Sequence, residues 1–273
     1  MVIHHKILRS HPIDKSSLKK NLKSSSEIIL FNFPLLQKQF KLVHAVFSRH
    51  GGKSAPPYKS LNTAYNTNDS RVNVSSNLDL IKGIIKADKL IYMNQIHGTE
   101  IISLYERNLN NYDKIREADA LITNIPGFAL MVKHADCQAI ILFDPVERVI
   151  ANIHCGWRGN AEGIILKVVK RMESDFGCCA SDIIAAIGPS LGPCCAEFIS
   201  FKEIFPKEFR MFMQYDNYFN LWEISRMQLL KAGLSRDNIE IANICTKCNA
   251  DLFYSYRAEK DTGRCATVVM LSI

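Results

Sequence analysis

No apolar stretch of this 273-residue chain approaches the roughly 20 consecutive residues that a membrane-spanning helix needs, so no membrane association is expected. The N-terminal MVIHHKILRSH runs into polar residues without an apolar core segment, which argues against a secretory signal. None of the eight histidines stands in a His-x-His pair, the arrangement on which multicopper oxidation relies. The H-x-E and P-C-x-x-C pieces of the common zinc deaminase signature are missing too. There is no internal repeat and no linker beyond the first residues, which leaves room for one large domain.

What is present is ordinary globular composition, 47% hydrophobic and 22% charged, enough for a large core. The nine cysteines are an odd number, scattered through apolar segments, with adjacent pairs at Cys178-Cys179 and Cys194-Cys195. That pattern fits a reduced, cytoplasmic protein better than a disulfide framework. Five of the seven net positive charges lie in residues 1–26, where Lys6, Arg9, Lys15, Lys19, Lys20 and Lys23 face Asp14 alone. Residues 1–27 are therefore read as a basic, partly flexible leader, and 28–273 as a single catalytic domain. The body is only mildly basic, which suits a small anionic substrate; neither nucleic acid nor a membrane is expected as a partner.

The chain is organised around VIANIHCGWRG, residues 149–159. Its apolar start predicts a buried strand that delivers His154 to a glycine-bounded turn, and residues 160–176 predict a helix with Asn160 as N-cap. A His between strand end and helix start lies where α/β proteins gather ligands. Further strands are predicted at 28–33, 42–47, 90–93, 100–104, 119–123, 128–132, 140–143, 183–187, 239–244 and 266–271. A helix is expected after Ser75 or Ser76, another over 197–233, and a surface excursion at 107–117. Tight turns between the middle strands argue for antiparallel pairing, and the strand–helix–strand unit from 149 to 187 for parallel pairing. A mixed α/β fold, α+β-like, with a mixed β-sheet covered by helices follows.

Three strand ends each carry a metal-type ligand: His97, Cys137 and His154. Side by side, such strands would bring all three to one rim. Two His and one Cys suit Zn²⁺ and leave a fourth position open for water or substrate. His134 and Cys155 are alternatives if the strand phase differs, although Cys155 should face away from His154 and pack in the core. Asp136 is a candidate to orient a ligand from behind. The loop over 48–62 holds Arg49 between Ser48 and Gly51-Gly52, a candidate phosphate clamp; a loop-anchoring salt bridge is its structural alternative. Arg158 is a second cation beside His154. Asn62 and Gln95 could contact ribose or base, or simply satisfy their loops.

The stretches FSRHGG (47–52), SLN (60–62), NQIHG (94–98), ADAL (118–121), ADC (135–137), HCGWRG (154–159), AAIGPSLGP (185–193) and SYR…TGR (255–264) together resemble the YfiH, or laccase-domain, family. That family was formerly labelled polyphenol oxidase and is understood as purine nucleoside phosphorylases. The resemblance covers 28–273 and implies a three-layer α/β/α sandwich with zinc on His97, Cys137 and His154. It also implies phosphorolysis of adenosine, inosine, guanosine and S-methyl-5′-thioadenosine, with adenosine deaminase activity. Cys137, His154 and Arg49 would then be catalytic, with Arg49, Asn62, Gln95 and Arg158 at the substrate. Purine nucleosides and phosphate would be the partners of a monomer or weak homodimer. The sequence departs from the family pattern at His134, at Gln138-Ala139, at Cys155 and at Ala196, which touches substrate preference and not the ligands. Two rival activities are a copper-dependent polyphenol oxidase, since copper can occupy the same ligands in vitro, and a metal-free hydrolase with Cys137 as nucleophile and His154 as base. A third rival is a binding module that acts through the basic leader.

Overall fold

The strand-dense middle of the sequence divides between two six-stranded sheets. The structure, a computed structural model, describes residues 18–22, 27–105 and 117–272. In chain order the elements are β1 (Leu18–Leu22), β2 (Glu27–Phe31), α1 (Pro34–Gln37), β3 (Leu42–Phe47), α2 (Arg71–Ile85), β4 (Lys89–Ile91), β5 (Ile101–Leu104) and β6 (Ala120–Thr123). Then come β7 (Phe128–His134), β8 (Gln138–Asp144), β9 (Val149–Cys155), α3 (Trp157–Ala161), α4 (Ile164–Phe176) and β10 (Ile184–Ile187). The chain closes with α5 (Phe201–Ile204), β11 (Met213–Tyr215), β12 (Tyr218–Phe219), α6 (Leu221–Lys231), β13 (Ile239–Ile241), α7 (Tyr256–Glu259) and β14 (Cys265–Leu271). Among the described residues no helix is long and apolar enough to cross a membrane.

One sheet runs β1-β2-β3-β14-β7-β4 and the other β13-β10-β8-β9-β6-β5. Both are mixed, with β4 parallel to β7, and β5 parallel to β6, among antiparallel neighbours. The class is the expected mixed α/β, helices covering both outer faces; between them the sheet layer is double. Alternation explains why. Along β9, Val149, Ala151, Ile153 and Cys155 pack outward under α4 and α6, while Ile150 joins the core between the sheets. Asn152, on the same inner face, donates to Leu130 O and Thr267 O of the facing sheet, both at 2.9 Å. Every residue of β8 and β9 is thus buried, which is why they read as continuous apolar runs. The other outer face, from β3, β7 and β14, is sealed by Val74, Leu78, Ile81 and Ile85 of α2.

In the strand–helix–strand unit β9 and β10 run in the same direction, but the expected parallel pairing is not made, because β8 lies between them, antiparallel to each. Some boundaries differ from the sequence-based expectation. Helix α2 begins at Arg71, a turn before Ser75. The helix expected over 160–176 is two, because Gly163 takes φ 73° and breaks it after α3. Asn160 is not a cap but a buried side chain, donating to Gln138 Oε1 at 3.0 Å. The segment 197–233 is not continuous helix; the hairpin β11–β12, turning at Asn217 with φ 69°, interrupts it. Within the expected leader, residues 18–22 form β1 and pair antiparallel with β2. Residues 1–17 and 23–26 of that leader, and 106–116 of the expected surface excursion, lie outside the described residues.

Candidate metal centre

Two loops and the end of strand β9 meet at the mouth between the two sheets. His97 lies in the loop after β4, Cys137 on the crossing from β7 to β8, and His154 near the end of β9. Ala139 pairs with His154 and Gln138 with Cys155, so Cys137 extends past the strand end to the turn at Gly156. One donor atom from each of His97, Cys137 and His154 falls within 4.8 Å of the others. The two imidazoles stand edge to face, centroids 4.8 Å apart. His154 is 3% exposed, whereas His97 faces solvent, so the centre is buried on one side and reachable on the other.

A fully buried carboxylate holds this arrangement. Asp119 Oδ1 accepts from His154 Nδ1 at 2.8 Å and from the His97 backbone N–H at 3.0 Å, and Oδ2 accepts from Gly98 N–H at 2.7 Å. The Asp119 carbonyl also accepts from His154 N–H at 2.7 Å. With its Nδ1 proton held by Asp119, His154 offers Nε2 as the ligand atom, the carboxylate–histidine pairing common behind metals. His97 sits at φ 61° and Asp136 at φ 84°, left-handed conformations that cost on the order of 1–3 kcal/mol each. The bonds from Asp119 hold the first. Asp136 is held by Thr246 Oγ1 at 2.6 Å and Arg257 N–H at 2.6 Å, both donating to its carboxylate.

The electrostatics favour a ligand set. Burial pushes the Cys137 thiol up, but the charge and hydrogen bonds of His154 and His97 outweigh it and bring the thiol down to about 6. Burial pushes His154 down, and Cys137 with Asp119 outweighs it, raising His154 to about 9. A metal ion would displace the proton of His154, leaving a thiolate beside two neutral imidazoles, a borderline-soft donor set of the zinc type. The space is kept for it as well. A Cβ built on Gly156 would lie 3.2 Å from Cys137 Sγ and 3.5 Å from His97 Cδ2, so a larger residue would crowd Cys137. The residues present fit a metal ion.

His134 and Cys155 do not compete. His134 Nε2 is tied to Thr267 Oγ1 at 2.8 Å inside the fold, and burial lowers its pKa to about 3. Cys155 faces the outer core, as its strand phase predicts. Asp136 does not orient a metal ligand through its side chain; Asp119 does that. The signal for Asp119 was a carboxylate in an apolar setting, ADAL, which a fold accepts only where donors converge.

The other expected substrate residues are not gathered around the trio by any contact. Arg49 donates to Ala250 O at 2.6 Å, Glu259 Oε1 at 2.7 Å and Lys59 O at 3.2 Å, and lies 4.5 Å over the Tyr254 ring. Its salt-bridged anchoring of the loop is the alternative weighed above, not an open bidentate clamp. Asn62 is fully buried: its amide nitrogen donates to Ala64 O, Thr67 Oγ1 and Asp69 Oδ2, and its oxygen accepts from Ala64 and Arg264 N–H. It has no polar atom left for ribose or base. Gln95 grips the backbone of Lys133 with both ends, at 2.7 and 2.9 Å, pinning the His97 loop to β7. Arg158 is exposed on α3, its guanidinium 4.9 Å from the Trp157 ring. It borders a shallow groove formed with Glu162, Glu203, Phe205 and Pro206.

The profile of the family described as multi-copper polyphenol oxidoreductase laccase matches residues 43–272. A purine nucleoside phosphorylase of Bacteroides thetaiotaomicron is 30% identical over 246 residues, covering 84% of this chain and 90% of that protein. One from Haemophilus influenzae is 31% identical over 241 residues, covering 84% and 94%. The crystal structure of a hypothetical protein YfiH from Bacillus licheniformis matches with a TM-score of 0.81 at 27% identity, covering 93% of this chain and 99% of its own. That of YlmD from Geobacillus stearothermophilus matches equally well.

Proposed function

Because this chain belongs to the multi-copper polyphenol oxidoreductase laccase family and has relatives named purine nucleoside phosphorylase, we propose that it is an enzyme of that activity, with zinc on His97, Cys137 and His154. Adenosine, inosine, guanosine and S-methyl-5′-thioadenosine are its substrates in this proposal, and deamination of adenosine is a second activity. One observation carries it: His97 and Cys137 from two loops and His154 from the end of β9 converge at an accessible rim, with His97 and His154 braced by Asp119.

When bound, the metal supplies positive charge and a coordination position that three protein ligands leave open. The chain's own groups do the rest. In phosphorolysis a phosphate oxygen bonds to C1′ while the purine leaves with the electron pair of the broken C–N bond and takes up a proton. Preorganised charge is the main lever on such a transition state. Asp119 keeps the His154 imidazole in one tautomer and one orientation. Arg158, exposed beside the His154 turn, is the cation a phosphate can reach. Arg49 acts by tying the 48–62 loop to the 250–259 segment.

Incubation of purified protein with adenosine, with and without phosphate, tests the proposal. Phosphate-dependent adenine and ribose 1-phosphate are expected, with inosine from the deaminase activity. Turnover of none of the four nucleosides would sink it. A copper polyphenol oxidase would need more imidazole than the two His and one Cys gathered here. The metal-free hydrolase has one observation in its favour, the Cys137 thiolate and His154 imidazolium pair. Activity that survives complete chelation but dies on alkylation of Cys137 would favour it.

A further inference from the structure

A second set of soft ligands gathers outside this centre. Cys194 and Cys195 end the GPSLGPCC turn after β10, and Cys245 and Cys248 form a C-x-x-C step after β13. Their four sulfurs lie within 4.8 Å of one another. Cys248 Sγ stands 3.5 Å from Cys194 Sγ and 3.6 Å from Cys195 Sγ. A disulfide would bring two sulfurs to about 2.05 Å. Four thiolates at about 2.3 Å from one zinc sit about 3.8 Å apart along the edges of a tetrahedron. The spacings at Cys248 match the tetrahedron, and no disulfide joins any of the four.

The backbone is shaped for this convergence. Strands β10 and β13 are parallel neighbours, and their exit turns stay paired: Ser190 N–H donates to Ile244 O at 3.1 Å and Thr246 N–H to Ser190 O at 3.0 Å. At Gly192 the turns nearly touch. A Cβ there would lie 2.9 Å from Cys245 Cβ and 2.8 Å from the Trp222 ring, so a larger residue would force Cys245 away. Cys195 N–H returns to Gly192 O at 2.9 Å, curling the turn so that two adjacent cysteines both reach Cys248.

The geometry points to a second, structural metal site in which Cys194, Cys195, Cys245 and Cys248 hold one zinc ion as a closed tetrathiolate. Binding needs no oxidant or reductant: four thiols release their protons to solvent, four S–Zn bonds form, and zinc stays divalent. Four protein ligands leave no open position, so the site supports the fold and does no chemistry. Its support reaches the first centre through Asp136. Thr246 Oγ1 donates to the Asp136 carboxylate at 2.6 Å, and Leu191 N–H donates to the Asp136 carbonyl at 2.8 Å. Both turns of the tetrathiolate therefore hold the strained residue that precedes Cys137. The site stands whether or not the protein is a phosphorylase.

Metal analysis of the full chain, expressed with zinc and purified without chelator, tests this site directly. Two zinc ions per chain are expected, falling to one in Cys194→Ser/Cys248→Ser and to one in Cys137→Ser. The same zinc-loaded wild-type protein, with no variant that could misfold, gives the second measurement. Cys248 is exposed, so as a free thiol it would alkylate quickly with iodoacetamide; bound to zinc it should react at least about tenfold faster once a strong chelator is added. Equal alkylation of Cys248 with and without chelator would overturn the site. So would a native mass 2 Da lighter with a Cys194–Cys248 or Cys195–Cys248 linkage, or iron in place of the second zinc.

Discussion

The His97–Cys137–His154 centre and the four-cysteine cluster use related donors in opposite ways. The first mixes nitrogen and sulfur, takes one residue from each of two loops and one from the end of β9, and has a buried carboxylate behind it. The second is all sulfur, takes two ligands from each of two neighbouring turns, and has no carboxylate among its members. Three ligands leave a position for a reactant, while four close the ion in. The first stands at the mouth between the sheets, where its geometry depends on how the sheets pack. The second needs only β10 and β13 to lie side by side. Asp136 links the two, since Thr246 Oγ1 and Leu191 N–H, from the turns that carry the four cysteines, hold the residue before Cys137.

The sharpest way to break this contrast is to remove a ligand from the open centre. Cys137→Ser should lose that metal and cut phosphorolysis by about a thousandfold, several kcal/mol of transition-state stabilisation, while the other metal stays. Retention of two zinc ions with full activity would contradict it. Asp119→Asn comes next: similar in shape but a poorer acceptor for His154 Nδ1–H, it should weaken metal binding at the open centre about 10–100-fold in competition with a chromophoric chelator.

Losing the four-cysteine site should act mainly on stability. Cys194→Ser/Cys248→Ser should lower Tm in calorimetry, each kcal/mol lost corresponding to about 2–4 °C for a chain of this size. Its kcat/KM should change less than about tenfold, and a larger fall would blur the division of labour. Gly156→Ala should reduce metal affinity about tenfold or less, because the new methyl group crowds Cys137 Sγ without backbone strain. Gln95→Ala, which releases the His97 loop from Lys133, should be smallest, about threefold in metal affinity. Isothermal titration with zinc checks both.

Much of the second sheet was legible because its strands are buried on both faces and read as plain apolar runs, as in β8 and β9. The three residues that converge, His97, Cys137 and His154, were legible as candidates too, each following a strand-like run beside a turn. What escaped was whatever depends on partners far away in sequence. Asp119 looks like the start of a strand until His97, Gly98 and His154 are seen to donate to it. Arg49 reads as a phosphate clamp until Ala250 and Glu259 are found at its guanidinium. Cys245 and Cys248 offered a plain C-x-x-C signal, but only the meeting of two turns pairs it with Cys194 and Cys195. The 197–233 segment failed for a local reason, since a two-strand turn at Asp216-Asn217 interrupts an otherwise helical pattern.

Residue order alone settled the α/β class and the buried strands and marked His97, Cys137 and His154 as candidates, because periodicity and residue chemistry are local properties. Which groups face one another was decided by the packing of sheet on sheet and turn on turn. A hydrogen bond or a coordination sphere is a matter of a few ångströms, and distances between remote segments exist only once the chain has folded.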